Sequence, residues 1–97
     1  MLFMGGEFGQ WEEWNHEDSL EWNLLEYAPH QGVQNWVKDL NCLFCSLPSL
    51  YELDFEQDGF EWIDFSDWEN SVVSFLRKGG NNGEQVAVVC NFTPVIR

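Results

Sequence analysis

The chain has 97 residues, enough for one small domain, and its 17 acidic against 4 basic residues give a net charge of −13. This charge excludes nucleic acids and anionic membrane surfaces as partners, because both bind clustered Lys and Arg. Six Trp, eight Phe and two Tyr argue against a disordered chain, since so many aromatic side chains favour burial in a core or against a partner.

The chain opens on an apolar run, Leu2, Phe3 and Met4, which leads into Gly5 and Gly6. A polar and aromatic stretch, residues 7–16, follows at once. This order predicts a buried strand that ends in a loop. Ligands of α/β proteins bind where strands end and loops begin, so we expect the functional residues here.

Residues 5–29 predict a long loop, because they show no sustained period and carry several glycines, many acids and Pro29. Loops of this length are usually functional or disordered, and the density of Trp and Phe favours function. A short helical turn is predicted over residues 20–27. Asp18 or Ser19 would cap it, and Asp18 with Glu21 has the spacing of a capping box.

Residues 30–47 predict an amphipathic helix, because apolar side chains recur at intervals of three and four. Pro48 ends this helix, since proline lacks the amide hydrogen and clashes with the preceding turn. Residues 49–52 then have the pattern of a second capping box. Four residues of this helical stripe, Trp36, Leu40, Leu43 and Phe44, are predicted to lie in the core; the other members of the stripe are Val33, Val37 and Leu47.

From residue 60 the apolar period changes to two, which predicts strands. Residues 60–65 and 71–77 form the first two strands, with a turn over 66–70. A turn over 79–83, with the turn dipeptide Asn82-Gly83, precedes a third strand over 85–92. The three strands are predicted to form an antiparallel meander. Trp62 and Ile63 fall on opposite faces of the first strand, so at least one of them should be covered by the sandwich or the barrel.

The predicted layout leaves elements without partners, because the opening strand has no parallel neighbour in the sequence and one face of the meander is uncovered. The predicted fold class is therefore an α+β fragment. Residues 1–52 would be the last strand, long loop and helix of a (β/α)8 barrel. Residues 53–97 would be the first antiparallel strands of a C-terminal β-sandwich.

The opening loop supplies the candidate ligand-binding residues. Trp11 and Trp14 are candidate stacking platforms, because an indole covers the apolar face of a sugar ring while its N–H stays wet. Carboxylates and an amide suited to sugar hydroxyls accompany them: Glu7, Glu12, Glu13 and Asn15. Structural roles stay open for these residues, above all for Glu7, which follows two glycines and is equally suited to bind backbone amides.

No metal or cofactor is predicted. His16 with Glu17 and Asp18 lacks the convergent ligand spacing of zinc sites. Cys42 and Cys45 have C-x-x-C spacing but lie inside the predicted helix, and no second pair completes a site. His30 is predicted to make a loop or capping contact rather than to act as a catalytic base.

The location predicted from the sequence is cytoplasmic. No apolar run approaches the roughly 20 residues that span a bilayer. The first residues lack the basic start and cleavage site of a signal peptide. Three cysteines at irregular spacing disfavour a secreted disulfide framework, so reduced thiols are expected.

Six separated motifs resemble the bacterial 1,4-α-glucan (glycogen) branching enzymes of the α-amylase superfamily. They cover residues 2–10, 13–16, 19–22, 24–27, 59–64 and 89–94, in the order that the family has them, and together span essentially the whole chain. The resemblance implies that the first segment corresponds to the eighth barrel strand and its loop, and residues 30–47 to the eighth barrel helix. The chain from residue 60 would correspond to the C-terminal β-sandwich.

The resemblance also implies a reaction, cleavage of an α-1,4-glucan chain and its transfer to a 6-hydroxyl to form an α-1,6 branch in glycogen biosynthesis. In that family an Asp and a Glu on the fourth and fifth barrel strands, with a further Asp after the seventh, carry the chemistry. None of these positions matches this sequence, so no catalytic residue is assigned and the chain alone is expected to be inactive. Its expected partners are α-glucan and the remaining part of the barrel.

Two other functions remain open on the sequence. A free-standing carbohydrate-binding domain of this size would bind soluble glucan as an isolated chain. A protein-interaction module would use its uncovered strand edges and aromatic surface to dock on a partner.

Overall fold

The computed structural model describes residues 2–80 and 83–97. They form one α-helix, α1 (Ala28–Ser46), and three strands, β1 (Phe60–Asp64), β2 (Val72–Lys78) and β3 (Gln85–Asn91). Short 3₁₀ turns precede α1, at Gly6–Phe8 and Trp22–Glu26, and others lie between α1 and β1, at Pro48–Leu50 and Gln57–Gly59. The chain divides into two compact units, one up to Leu43 and the other from Phe44 to Arg97. None of the described helices is long and apolar enough to cross a membrane.

The helix predicted from apolar spacing is confirmed, although it begins two residues earlier and ends one residue earlier than predicted. Pro29 fits in its first turn, where a missing amide hydrogen costs no helical bond. The chain leaves the helix before Pro48, which starts the next 3₁₀ turn instead. Pro48 therefore limits the helix, because proline lacks the amide hydrogen and clashes with the preceding turn.

The predicted burial of the helical stripe is wrong for this chain. Trp36 is 64% exposed, Leu40 44% and Leu43 51%. Phe44 is also 44% exposed, although its ring lies 5.5 Å from that of Tyr51. Among the described residues, Phe8 and Leu24 are the buried hydrophobic side chains. Helical spacing identifies a face that has to be covered, but it does not supply the layer that covers it.

The predicted strand at the start of the chain does not form. Leu2, Phe3 and Met4 are 55–65% exposed, and no strand lies in the described part of the first unit. The Gly6 amide instead donates to the Phe3 carbonyl at 2.8 Å and closes a turn. A strand needs a neighbour for its amides and carbonyls, and the described residues of this unit offer none.

Both predicted capping boxes are wrong, because their side chains make other hydrogen bonds. The 3₁₀ turn Trp22–Glu26 has Glu21 as its N-cap, without a side-chain cap bond. Ser49 is buried and donates to the Glu84 carbonyl at 2.9 Å. Glu52 accepts from the Gly80 amide at 2.9 Å. These two bonds attach the segment after the helix to the hairpin of β2 and β3.

The antiparallel meander is confirmed, with the strand order β1, β2, β3. Trp62 pairs with Phe75, and Phe75 pairs with Val88 on the third strand. The predicted alternation along β3 is also observed, since Val86, Val88 and Cys90 are half-buried between exposed neighbours. Phe92, predicted to share their face, follows the strand and is 72% exposed. The turn predicted over 79–83 includes Asn81 and Asn82, which lie outside the described residues.

An aromatic cluster covers part of one sheet face. The Phe60 and Phe75 rings are stacked at 5.1 Å, and the Trp62 ring meets both edge-on at 4.9 and 5.9 Å. Trp62 is nevertheless 49% exposed and Ile63, at a shift in the register of β1, is 54% exposed. The prediction that one of these two is covered is therefore wrong for this chain. Next to the cluster, Arg77 pairs with Asp54 and donates to the Leu50 carbonyl at 3.0 Å.

The turn after β1 contains the one clear shift in acidity among the described residues. The hydroxyl of Ser66 donates to Asp64 Oδ1 at 2.7 Å and its amide at 2.8 Å. These bonds favour the charged carboxylate, so the Ser66 hydroxyl first, and then its amide, lower the pKa of Asp64 from 3.8.

Replacing Ser66 by Ala is expected to raise the pKa of Asp64 towards 3.8, because the larger of the two contributions is lost. An NMR pH titration of the Asp64 carboxyl measures this shift, and Ser66→Thr, which keeps a hydroxyl, should preserve the low value. Because the folded pKa is depressed, the bond stabilises the fold above pH 3.8 and is lost as the pH falls through the folded pKa. An unchanged titration in Ser66→Ala would contradict this assignment.

Candidate functional site

The opening loop begins with a tight reversal at Gly5, whose φ of 86° is left-handed. The amide of Gln10 donates to the Gly5 carbonyl at 3.0 Å and brings the two residues together. A Cβ atom on residue 5 would lie only 2.6 Å from Gln10 Oε1. Glycine therefore satisfies two needs at this position, the positive φ and the space for the Gln10 side chain.

Gln10 and Glu21 bind each other's segments of the loop, an arrangement that we call the Gln10–Glu21 clasp. The Glu21 amide donates to Gln10 Oε1 at 3.1 Å, and Gln10 Nε2 donates to the Glu12 carbonyl at 3.0 Å. Glu21 Oε2 accepts from the amides of Trp11 and Glu12 at 3.1 and 3.3 Å. Because hydrogen bonds to a carboxylate are stronger than neutral ones, the clasp fixes the backbone that carries Trp11.

His30, in the first turn of α1, contacts the same loop through both ring nitrogens. Nδ1 lies 2.8 Å from the Phe8 carbonyl oxygen, and Trp11 Nε1 donates to Nε2 at 3.0 Å. An indole N–H is only a donor, so Nε2 must accept and the proton of the neutral ring sits on Nδ1. The loop contact predicted for His30 is thereby confirmed.

A cavity of about 390 Å³ lies beside this pair and is lined by Trp11, Leu24, Tyr27, Pro29 and His30. Its volume falls at the lower end of the roughly 300 to 1,000 Å³ usual for small-molecule sites. Trp11 is 78% exposed, so its indole is open to a ligand even while its N–H is bonded. The arrangement can hold a small ring against an aromatic wall.

Trp14 belongs to a different group of aromatic side chains. Its ring meets Phe3 edge-on, with centroids 5.4 Å apart and planes at 85°, and it lies 6.2 Å from the His16 ring. Its exposure is 36%, less than half that of Trp11. Of the two candidate platforms, Trp11 therefore presents more of its indole and is the one that lines the cavity.

The polar candidates are spread along the loop. Glu7 lies half-buried in the 3₁₀ turn Gly6–Phe8, while Glu12 and Glu13 are exposed. Asn15 is used locally: its Oδ1 accepts from the Glu17 amide at 3.0 Å, and its Nδ2 donates to Asp18 at 3.3 Å. Its side chain thus closes a turn, in line with the structural role left open for it.

The residues 16–18 considered as a metal site are solvent-exposed. His16 Nε2 lies 3.9 Å from Glu17 Oε1, and both side chains are more than three-quarters exposed. Within residues 2–80 and 83–97, no three His, Cys, Asp or Glu side chains are grouped so as to hold a metal ion.

Sequence reasoning missed four residues of this site, Gln10, Glu21, Tyr27 and, as the partner of Trp11, His30. The Gln10–Glu21 clasp joins residues 11 apart and the Trp11–His30 bond residues 19 apart. Local patterns such as capping boxes look only a few residues along the chain. The sequence contains only a weak signal for these contacts, namely that aromatic residues lie on both sides of the loop.

Comparison with known proteins decides which family the loop and strands resemble. A protein of Aquifex aeolicus named 1,4-alpha-glucan branching enzyme GlgB is 60% identical over 97 residues, which is 100% of this chain and 15% of that protein. The chain is thus related, over its whole length, to the 1,4-alpha-glucan branching enzymes. The resemblance predicted from the sequence motifs is confirmed.

Other branching enzymes give the same result. The Aromatoleum aromaticum GlgB is 58% identical over 97 residues, and the chain covers 15% of it. The Synechococcus elongatus GlgB is 57% identical over 93 residues, which are 96% of this chain and 12% of that protein. The chain therefore spans only about one-seventh of the length of these branching enzymes.

A family model described as the alpha amylase C-terminal all-beta domain matches residues 62–97. This range starts inside β1 and contains β2 and β3 entirely. The predicted change from helical to all-β structure in the second half of the chain is thereby confirmed.

Proposed function

We propose that this chain forms one side of the glucan-binding cleft of a 1,4-α-glucan branching enzyme. The observation that carries the proposal is the 60% identity to such an enzyme across all 97 residues. On this proposal residues 1–52 are the last strand, loop and helix of a (β/α)8 barrel, and residues 53–97 begin its all-β domain. A cytoplasmic location belongs to the same proposal, supported by the free thiols of Cys42, Cys45 and Cys90.

The exposed face of α1 supports a larger assembly. Val33, Trp36 and Leu40 are 37–64% exposed although they have the spacing of a buried stripe. In a barrel, the inner face of each outer helix is covered by the neighbouring strands. The neighbouring barrel strands would also pair with Leu2, Phe3 and Met4, for which the described residues provide no strand neighbour.

The proposed role of the loop is to hold glucan rather than to cut it. Trp11 and Trp14 would stack on the apolar faces of glucosyl rings. Glu7, Glu13 and Asn15 would bind sugar hydroxyls. The Asn15 side chain already makes two local hydrogen bonds, so it would use only its remaining donor and acceptor positions. Cleavage and transfer with retention require a carboxylate nucleophile and a carboxylic acid about 5 to 5.5 Å apart. The family carries these groups on other strands, so they would meet the glucan from outside this segment.

A chimeric enzyme tests the proposal directly. This chain replaces the matching 97 residues of the Aquifex aeolicus branching enzyme, and α-1,6 linkages formed from amylose are counted by NMR. We expect the chimera to branch amylose, and Trp11→Ala in it to raise the KM for amylose by roughly 2- to 10-fold, the effect of losing one stacking contact.

Trp68→Ala is the matched control, because Trp68 is 79% exposed, as Trp11 is, but lies in the turn after β1. Equal effects of the two substitutions would argue against the loop as the glucan contact. A chimera that melts cooperatively but forms no branches would overturn the proposal as a whole.

A further inference from the structure

The indole of Trp11 combines high exposure with a fixed ring nitrogen. The ring is 78% exposed, yet its N–H donates to His30 Nε2 at 3.0 Å. The ring centroids of Trp11 and His30 are 5.9 Å apart and the planes are inclined by 51°. The two rings therefore meet through the N–H rather than by stacking, which leaves the indole face open.

His30 is itself held from the opposite side. Its Nδ1 donates to the Phe8 carbonyl at 2.8 Å, and Phe8 is the fully buried side chain of this unit, 5.4 Å from the Trp22 ring. Two consecutive hydrogen bonds, from Trp11 to His30 and from His30 to Phe8, connect the exposed indole to the backbone of a buried residue. The Gln10–Glu21 clasp fixes the backbone of Trp11 independently of this connection.

An exposed aromatic side chain without such a bond exchanges between rotamers, and a ligand that stacks on it must first order it. The ordering of one side chain reduces affinity by roughly 2- to 10-fold. A bond that already restricts the ring before binding removes this cost. Because both nitrogens of His30 are occupied, His30 has no ring nitrogen left to hydrogen-bond a sugar and acts through Trp11.

We propose that His30 is a positioning residue that holds the Trp11 indole, through the Nε2 acceptor, in the orientation that stacks on a glucosyl ring at the neighbouring cavity. The identity of the ligand rests on the proposed function, but the orienting bond does not. The bond needs an acceptor at this place and therefore the neutral ring, since a proton on Nε2 would oppose the indole N–H.

The bond is tested on the 97-residue chain by ¹H–¹⁵N NMR of the indole N–H groups, with Trp11→Phe assigning the Trp11 signal. We expect this signal to lie downfield of free indole and to exchange slowly with water. His30→Phe, which keeps a ring of similar size but removes the acceptor, should move the signal to the free position. His30→Gln, whose amide both accepts and donates, should restore most of the shift, and His16→Gln should leave it unchanged.

The effect on binding is tested in the chimera with the Aquifex aeolicus enzyme. His30→Phe should raise the KM for amylose roughly 2- to 10-fold with little change in kcat, and His30→Gln should stay within about twofold of the parent. A Trp11 signal at the free-indole position in the parent chain, or one that His30→Phe leaves in place, overturns the positioning role. A Trp11→Ala chimera with unchanged KM overturns the proposed function instead, so the two failures are distinguishable.

Discussion

The purified 97-residue chain is expected to form no α-1,6 branches from amylose above the rate of a buffer control. Retaining glycosyl transfer depends on a nucleophile and an acid that the family carries on strands not matched by this sequence. Loss of a catalytic nucleophile typically lowers kcat by factors on the order of a million. NMR of amylose after long incubation detects α-1,6 linkages directly, and their appearance would contradict the assignment of this chain to binding.

Activity is expected to return when the chain is coexpressed with an Aquifex aeolicus branching enzyme that lacks the matching 97 residues. The exposed stripe of α1 would then be covered by the complementary piece. Leu40→Glu, which places a charge on that stripe, should abolish association, whereas Asn41→Glu adds the same charge one position further round the helix and should be tolerated. Copurification measures association, and equal behaviour of the two variants would argue against the stripe as the docking face.

A free-standing carbohydrate-binding domain predicts the opposite pattern. The isolated chain would then bind soluble glucan strongly, and neither Leu40→Glu nor the complementary piece would matter. Affinity electrophoresis in a gel containing glycogen separates the two cases. On the branching-enzyme proposal the isolated chain is retarded weakly or not at all, because the cleft has only one of its sides.

The elements that the sequence predicts well are those whose signal is local. Helix α1 follows from apolar spacing between Val33 and Leu47 and from the stop at Pro48. The meander follows from alternation along Val86, Val88 and Cys90 and from the turn residues between the strands. In both cases neighbours within a few residues determine the backbone, so the pattern alone is sufficient.

The features that the sequence missed depend on partners far along the chain or outside it. Glu21 has the spacing of a capping residue, but its carboxylate instead accepts hydrogen bonds from the amides of Trp11 and Glu12. Trp36 and Leu40 have the spacing of core residues, yet their burial needs a covering layer that spacing cannot provide. The Trp11–His30 bond likewise joins residues that are 19 apart in the sequence. The sequence could nominate candidate residues in the opening loop, but it could not predict their contacts.

Gly59→Ala is expected to destabilise the second unit by about 1 to 3 kcal/mol, the usual cost of overpacking a filled site. Gly59 is buried where the chain enters β1, and its amide donates to the Glu56 carbonyl at 3.1 Å. A Cβ atom there would collide with the Leu53 carbonyl oxygen and approach Leu53 Cβ to 2.7 Å. Backbone atoms cannot rotate away as a side chain does, so the start of the strand itself has to move.

Gly32→Ala provides the matched control, because it adds the same methyl group where, apart from its chain neighbours and the helix backbone, no described atom lies within 4 Å. Gly32 sits within α1, and Ala is a better helix former by roughly 0.5 to 1 kcal/mol, so this variant should be more stable than the parent. Urea denaturation followed by circular dichroism measures both changes. Their opposite signs would locate the effect in the contact with Leu53, since the added group is identical. A Gly59→Ala variant as stable as the parent would show that the segment before β1 has room to shift. The contact between residue 59 and Leu53 would then not determine where β1 begins.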